Sequence, residues 1–144
     1  MYLLDTNVWL QRLLTQERAD EVGRFINSVP SEQIHITDFA FHSVCVILSR
    51  LKHPDVVNDF IDDAFGYSAV GLVRLTAEET RRVLTAMATF NLDFDDAYQY
   101  IAAEKYNLTL VSFDADFDQT ERGRKTPGDV LKEFQETAKQ SRDE

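Results

Sequence analysis

Cysteine is almost absent from this chain of 144 residues: Cys45 is the only one. One thiol excludes an internal disulfide framework, excludes Cys-based zinc spacing, and is compatible with a reducing compartment. Three prolines and five glycines are too few for a low-complexity segment, a collagen-like repeat or a Gly-rich phosphate loop. No apolar run approaches the roughly 20 residues that span a bilayer, and no basic leader with an apolar core opens the chain. Positive charge is also short: 15 Lys and Arg face 25 Asp and Glu, for a net charge of −10. That balance argues against tight nonspecific binding to a nucleic-acid duplex. It does not exclude a nucleic-acid substrate, because a bound cation inverts the charge locally. What remains is an ordinary globular composition, 44% apolar with ten Phe. The length suits one domain, residues 1–144, with about 138–144 as a solvated tail.

The patterning alternates short apolar runs with helical stripes. Residues 2–4 read as a buried strand closed by Asp5. Helical stripes follow on Val8, Trp9, Leu13 and on Val22, Phe25, Ile26. Ile34–Ile36 reads as a second strand, with Thr37 or Asp38 capping a densely apolar helix through Leu51. After a break at His53–Pro54, another stripe runs over Val56–Phe65. The segment Tyr67–Val73 contains a third strand. Thr76-Ala-Glu-Glu79 is a capping box ahead of a helix that ends at Asn91. Asp93 caps the next helix, which ends before Asn107. Leu108–Val111 is the fourth strand, and a short final helix docks through Val130, Leu131 and Phe134. Strands alternating with helices predict an α/β fold in three layers around a short, mostly parallel sheet of four to five strands.

The acids are placed unevenly. Asp5 and Asp114 close apolar strands, Asp116 follows two residues on, and Asp96 lies on the first turn of a helix. In open parallel sheets the working crevice lies at the carboxyl ends of the strands, so these side chains are expected to meet. Carboxylates gathered there would repel one another unless they held a hard divalent cation such as Mg²⁺ or Mn²⁺. Such a cation suits phosphodiester hydrolysis. Individually the acids have plainer uses: Asp93 as a cap, Asp114 as a turn former, Asp116 as a surface group. Arg122, Arg124 and Lys125 form a basic stretch close behind the acids, available to a substrate phosphate or simply to solvent. His35 and His53 have no partner in the pattern and read as structural, and no Ser-His-Asp order appears.

Four segments carry a family resemblance. Leu3-Leu-Asp-Thr-Asn-Val8 resembles the first motif of PIN-domain ribonucleases, and of VapC-type toxins in particular. Phe94-Asp-Asp-Ala-Tyr98 with Ala102-Ala103 resembles their third motif. Leu110-Val-Ser-Phe-Asp-Ala-Asp-Phe117 resembles their fourth, and Pro127–Phe134 fits the closing segment. The resemblance implies a PIN-like fold with Asp5, Asp96 and Asp114 as catalytic metal ligands and Asp116 as a further catalytic acid. Asn7, Ser112 and Ser43 would orient them. It also implies an Mg²⁺- or Mn²⁺-dependent endoribonuclease acting on RNA in the cytoplasm, held by a small antitoxin, dimeric and without a membrane segment. One departure stands out. The Glu expected on the helix after the second strand is missing, and Ser43 or His42 falls in its place, with Asp38 about a turn too early. A scaffold that binds RNA or protein without cutting is therefore an open alternative. A phosphatase using Asp5 as nucleophile is a more distant one.

Overall fold

The computed structural model describes residues 1–143. Four short strands, β1 (Tyr2–Leu4), β2 (Ile34–Thr37), β3 (Gly71–Val73) and β4 (Thr109–Val111), form a wholly parallel sheet in the order β3-β2-β1-β4. Tyr2 pairs with Ile34 on one side and Thr109 on the other. Seven α-helices connect and flank the strands: α1 (Thr6–Leu13), α2 (Ala19–Ser28), α3 (Asp38–Arg50), α4 (Pro54–Ile61), α5 (Thr80–Phe90), α6 (Phe94–Tyr106) and α7 (Pro127–Asp143). No helix among the described residues is long and apolar enough to cross a membrane.

The strand order explains the layering. The chain steps from β1 to β2 to β3 in one direction, then crosses back to place β4 on the far side of β1. Parallel crossovers are right-handed, so reversing direction moves the connecting helices to the other face. Accordingly Leu4, Ile34, Ile36 and Val111 pack with residues of α1–α4 and α7, while Leu3 and Leu110 pack with α5 and α6. Adjacent strand residues thus point to opposite cores, as a period of two requires. In α3, Ala40, Val44 and Leu48 recur every fourth position and are fully buried, which fixes that helix on the sheet.

Local signals set most boundaries. The Thr37 hydroxyl accepts from Ala40 N at 2.9 Å and the Asp93 carboxylate accepts from Asp96 N at 2.9 Å, each capping a helix start. Asn91 and Asn107, at φ of 55° and 53°, end α5 and α6 in the left-handed conformation. Thr76 and Glu79 exchange hydrogen bonds as a capping box. Ahead of β3, Asp62–Gly66 forms a single π-helical turn and residues 67–70 form a loop, which leaves only three residues to the strand.

The final helix is not short: α7 runs for 17 residues. Thr126 and Asp129 cap it reciprocally, at 2.9 and 3.1 Å, and Pro127 occupies its first turn, where the missing N–H costs nothing. Its last residues are helical and exposed. A fifth strand is present only as a single parallel bridge, Val111 to Lys125, on the outer edge of β4.

Candidate active site

The order in which strands are added to the sheet reverses at β1, so a crevice opens between β1 and β4 at their carboxyl ends. Asp5 follows β1 directly, and its backbone N–H donates to Val111 O at 2.9 Å, locking the two strand ends together. Asp5 is buried, 6% exposed, and its carboxylate accepts three hydrogen bonds. Oδ1 accepts from Thr6 N at 2.8 Å and from Gln99 Nε2 at 3.1 Å; Oδ2 accepts from Ser112 Oγ at 2.7 Å. Burial pushes the Asp5 carboxyl above its usual range, the three donors pull the other way, and the Asp114 charge adds to the rise.

Ser112, the residue after β4, organises the opposite wall. Its hydroxyl also accepts from Asp114 N at 3.0 Å and from Asn7 Nδ2 at 3.3 Å, while Asn7 Oδ1 accepts from Phe113 N at 3.3 Å. Asp114 starts a 3-10 turn, its carboxylate accepting from Asp116 N at 2.9 Å. That turn swings Asp116 back beside its neighbour. One carboxylate oxygen each from Asp96, Asp114 and Asp116 lies within 4.8 Å of the others. Asp5 lies behind this trio and acts on it through charge. Burial, then the charges of Asp93, Asp114 and Asp5, push the Asp96 carboxyl up to about 8. Among the described residues none of these four acids has a Lys or Arg partner.

Asp5, Asp96 and Asp114 border a cleft of about 290 Å³ that also takes in Asn7, Phe39, Ser43 and Gln99, with no basic side chain in its lining. Of the two residues considered at the missing Glu, Ser43 therefore faces the acids. His42 is exposed and borders a neighbouring depression with Val46. Asp38 is committed elsewhere: its Oδ1 accepts from Phe39 N at 2.7 Å and from the Tyr98 hydroxyl at 2.8 Å.

The basic stretch does not converge on the acids. Arg122 reaches the amino end of β4, donating to Leu108 O at 3.2 Å. Arg124 is held by Asp118 at 3.1 and 3.2 Å and by Ser112 O at 3.1 Å, and Lys125 pairs with Glu133. Gln99 was not evident from the sequence pattern. It is 2% exposed and bridges two strands, since its Oε1 accepts from Thr37 Oγ1 at 2.7 Å while its amide serves Asp5. The available signal was an amide three residues after Asp96, hence on the same helical face, amid an otherwise apolar run. The Arg18 guanidinium pairs with Glu21 and lies 4.0 Å from the centre of the Phe113 ring.

Both oxygens of buried Asp5 accept hydrogen bonds from the protein. The outer trio is different. It is a set of oxygen donors, part exposed and without a counter-charge, which is the donor chemistry of Mg²⁺ and Mn²⁺.

No curated protein matches the sequence to a significant degree. Solved structures do match in fold. A chain of a toxin–antitoxin complex from Klebsiella pneumoniae is 17% identical with a TM-score of 0.70, the match covering 88% of this chain and 98% of that one. The sarcin–ricin-loop-cleaving toxin VapC20 of Mycobacterium tuberculosis is 16% identical with a TM-score of 0.72, covering 85% and 96%. A chain of FitAcB from Neisseria gonorrhoeae is 18% identical with a TM-score of 0.70, covering 88% and 98%. The sequence profile of the PIN domain matches residues 2–123, and the chain belongs to the PIN domain family.

Proposed function

We propose that this chain, acting as one domain over residues 1–144, is a divalent-metal-dependent endoribonuclease and the toxin of a toxin–antitoxin pair. One observation carries the reading: Asp96, Asp114 and Asp116 crowd within 4.8 Å with no basic partner, beside buried Asp5. An arrangement that raises Asp96 to about 8 is costly for a structural role and suited to a cation. The oxygen-only donor set fits Mg²⁺ or Mn²⁺, with Asp96 and Asp114 as ligands, Asp116 or Asp5 completing the set, and water in the remaining positions. Such an ion supplies an activated water and offsets charge on a phosphoryl oxygen.

The chain's own residues do the positioning. Ser112 and Gln99 hold Asp5 by its two oxygens, and Asp5 in turn fixes the start of α1. Asn7 and Ser112 fix the backbone at Phe113 and Asp114, so the acids keep one geometry. Ser43 presents a hydroxyl where the resemblance to PIN-domain ribonucleases leads to the expectation of a carboxylate, which leaves the cleft one negative charge poorer than that expectation.

The relatives support the biological setting. One is described as cleaving the sarcin–ricin loop and another as a toxin–antitoxin complex. We extend to this chain an RNA substrate, a small antitoxin partner, a homodimer and work in the cytoplasm. The test is cleavage of structured RNA with Mn²⁺ by the parent and by Asp96→Asn. Cleavage by the parent alone supports the proposal, and equal cleavage by both removes Asp96 from it. No cleavage by either, with intact RNA binding, favours the scaffold reading, for which Ser43 in place of the Glu is the best argument.

A further inference from the structure

We propose that Phe39 is a nucleobase-stacking platform beside the acids, so that the enzyme takes an unpaired base there; this rests on the ribonuclease reading and deepens it. Phe39 is the second residue of α3 and half-buried. It borders both the acid cleft and the adjoining depression formed with His42, Ser43 and Val46. Its ring stacks on Tyr98 with centroids 5.3 Å apart and an interplanar angle of 30°, and Phe94 packs beside it at 6.0 Å. Tyr98 is itself fixed. Its hydroxyl donates to Asp38 Oδ1 at 2.8 Å and accepts from Leu75 N at 3.0 Å. Asp38 also holds the Phe39 backbone N–H at 2.7 Å. The ring is thus clamped before any ligand arrives, and a preordered contact loses little entropy on binding.

Charge makes an aromatic contact necessary. Neither depression has a Lys or Arg in its lining, and the chain carries a net charge of −10. Affinity next to the acids therefore cannot come from neutralising phosphates with side chains. A π-face offers attraction that acidic surroundings do not oppose, and every base has one. Stacking requires a base free of its partner, which selects single-stranded or looped RNA over a duplex. His42 and Ser43 supply the polar atoms of the depression that can meet a base edge.

The test uses Asp96→Asn protein, to prevent cleavage, and three single-stranded probes of equal length: oligo(rA), oligo(rU) and an abasic ribose-phosphate chain. The expected order of affinity is oligo(rA), then oligo(rU), then the abasic chain, with roughly tenfold between first and last. Phe39→Leu brings oligo(rA) down to the abasic level, while Phe39→Trp keeps the preference and also quenches a 2-aminopurine placed in the oligonucleotide. Equal binding of oligo(rA) by Phe39→Leu and its parent, in a protein that still cleaves RNA when Asp96 is present, overturns the platform and leaves the ribonuclease reading standing. Absence of binding to all three probes together with absence of cleavage overturns both. A preference lost in Phe39→Trp as well as in Phe39→Leu overturns the platform too, because the ring was kept.

Discussion

Replacing Asp96 by Asn is expected to stabilise the metal-free protein while abolishing the RNA cleavage proposed above. The carboxylates of the outer trio lie within 4.8 Å of one another. At that distance a pair of like charges repels by roughly 3.5 kcal/mol at an effective dielectric near 20, and by about 0.9 kcal/mol in bulk water. Asp96 is part open to solvent, so screening favours the lower end, and relief of about 1–2 kcal/mol is expected. For a chain of this size that is roughly 3–6 °C in melting temperature. The helix cap is untouched, because it uses Asp93 Oδ1 and the backbone N–H of residue 96. The pH dependence has a definite sign. Asp96 is raised from 3.8 to about 8 by burial first and by its acidic neighbours second. A raised carboxyl favours folding in its protonated form, so its contribution is complete below the unfolded value and is lost as pH climbs through about 8. The advantage of Asn over Asp should therefore be smallest near pH 4, grow through neutrality and level off above pH 8. Thermal unfolding of both proteins in EDTA from pH 4 to 9 measures it, and Mn²⁺ should then raise the parent's midpoint more than the variant's. An Asn variant less stable than the parent at pH 8 without metal, or a gap independent of pH, would refute the reasoning.

Two further outcomes follow from the packing. Gln99→Leu strips a donor from Asp5 and the acceptor from Thr37, leaving buried polar groups unpaired at about 2–3 kcal/mol in urea unfolding; a loss below 0.5 kcal/mol would mean that water replaces the amide. Gly71→Ala places a Cβ 2.6 Å from His35 Cδ2 and should cost about 1–3 kcal/mol, with His35→Ala restoring most of it in the double variant if this contact is the cause.

Much of the frame was legible because it depends on local rules. Apolar runs closed by an acid marked β1 and β4, and Thr37, Asp93, Asn91 and Asn107 marked helix ends by capping chemistry that a few residues specify. The coincidence of acids at one sheet edge followed from topology: once the strands are parallel, residues after β1 and β4 share an edge. What was not legible depends on contacts between distant segments. Gln99 has no local signature, because its role exists only when β1 and β2 lie beneath α6. The fate of Asp38 depends on a tyrosine 60 residues away. The basic stretch near residue 124 looked close to the acids in sequence, yet the turn after β4 sends its side chains to other partners. The length of α7 was underestimated because its exposed second half has no apolar stripe, while the capping pair Thr126 and Asp129 fixes only its start.

The hydrogen bond from Ser112 to Asp5 spans 107 residues of chain, and the bridge that borders β4 waits for Lys125. A chain that stops before Ser112 therefore carries Asp5 and Asp96 without Asp114, Asp116 or the hydroxyl that holds the Asp5 carboxylate. The acid cluster is thus complete only once β4 and the turn after it have joined the sheet beside β1.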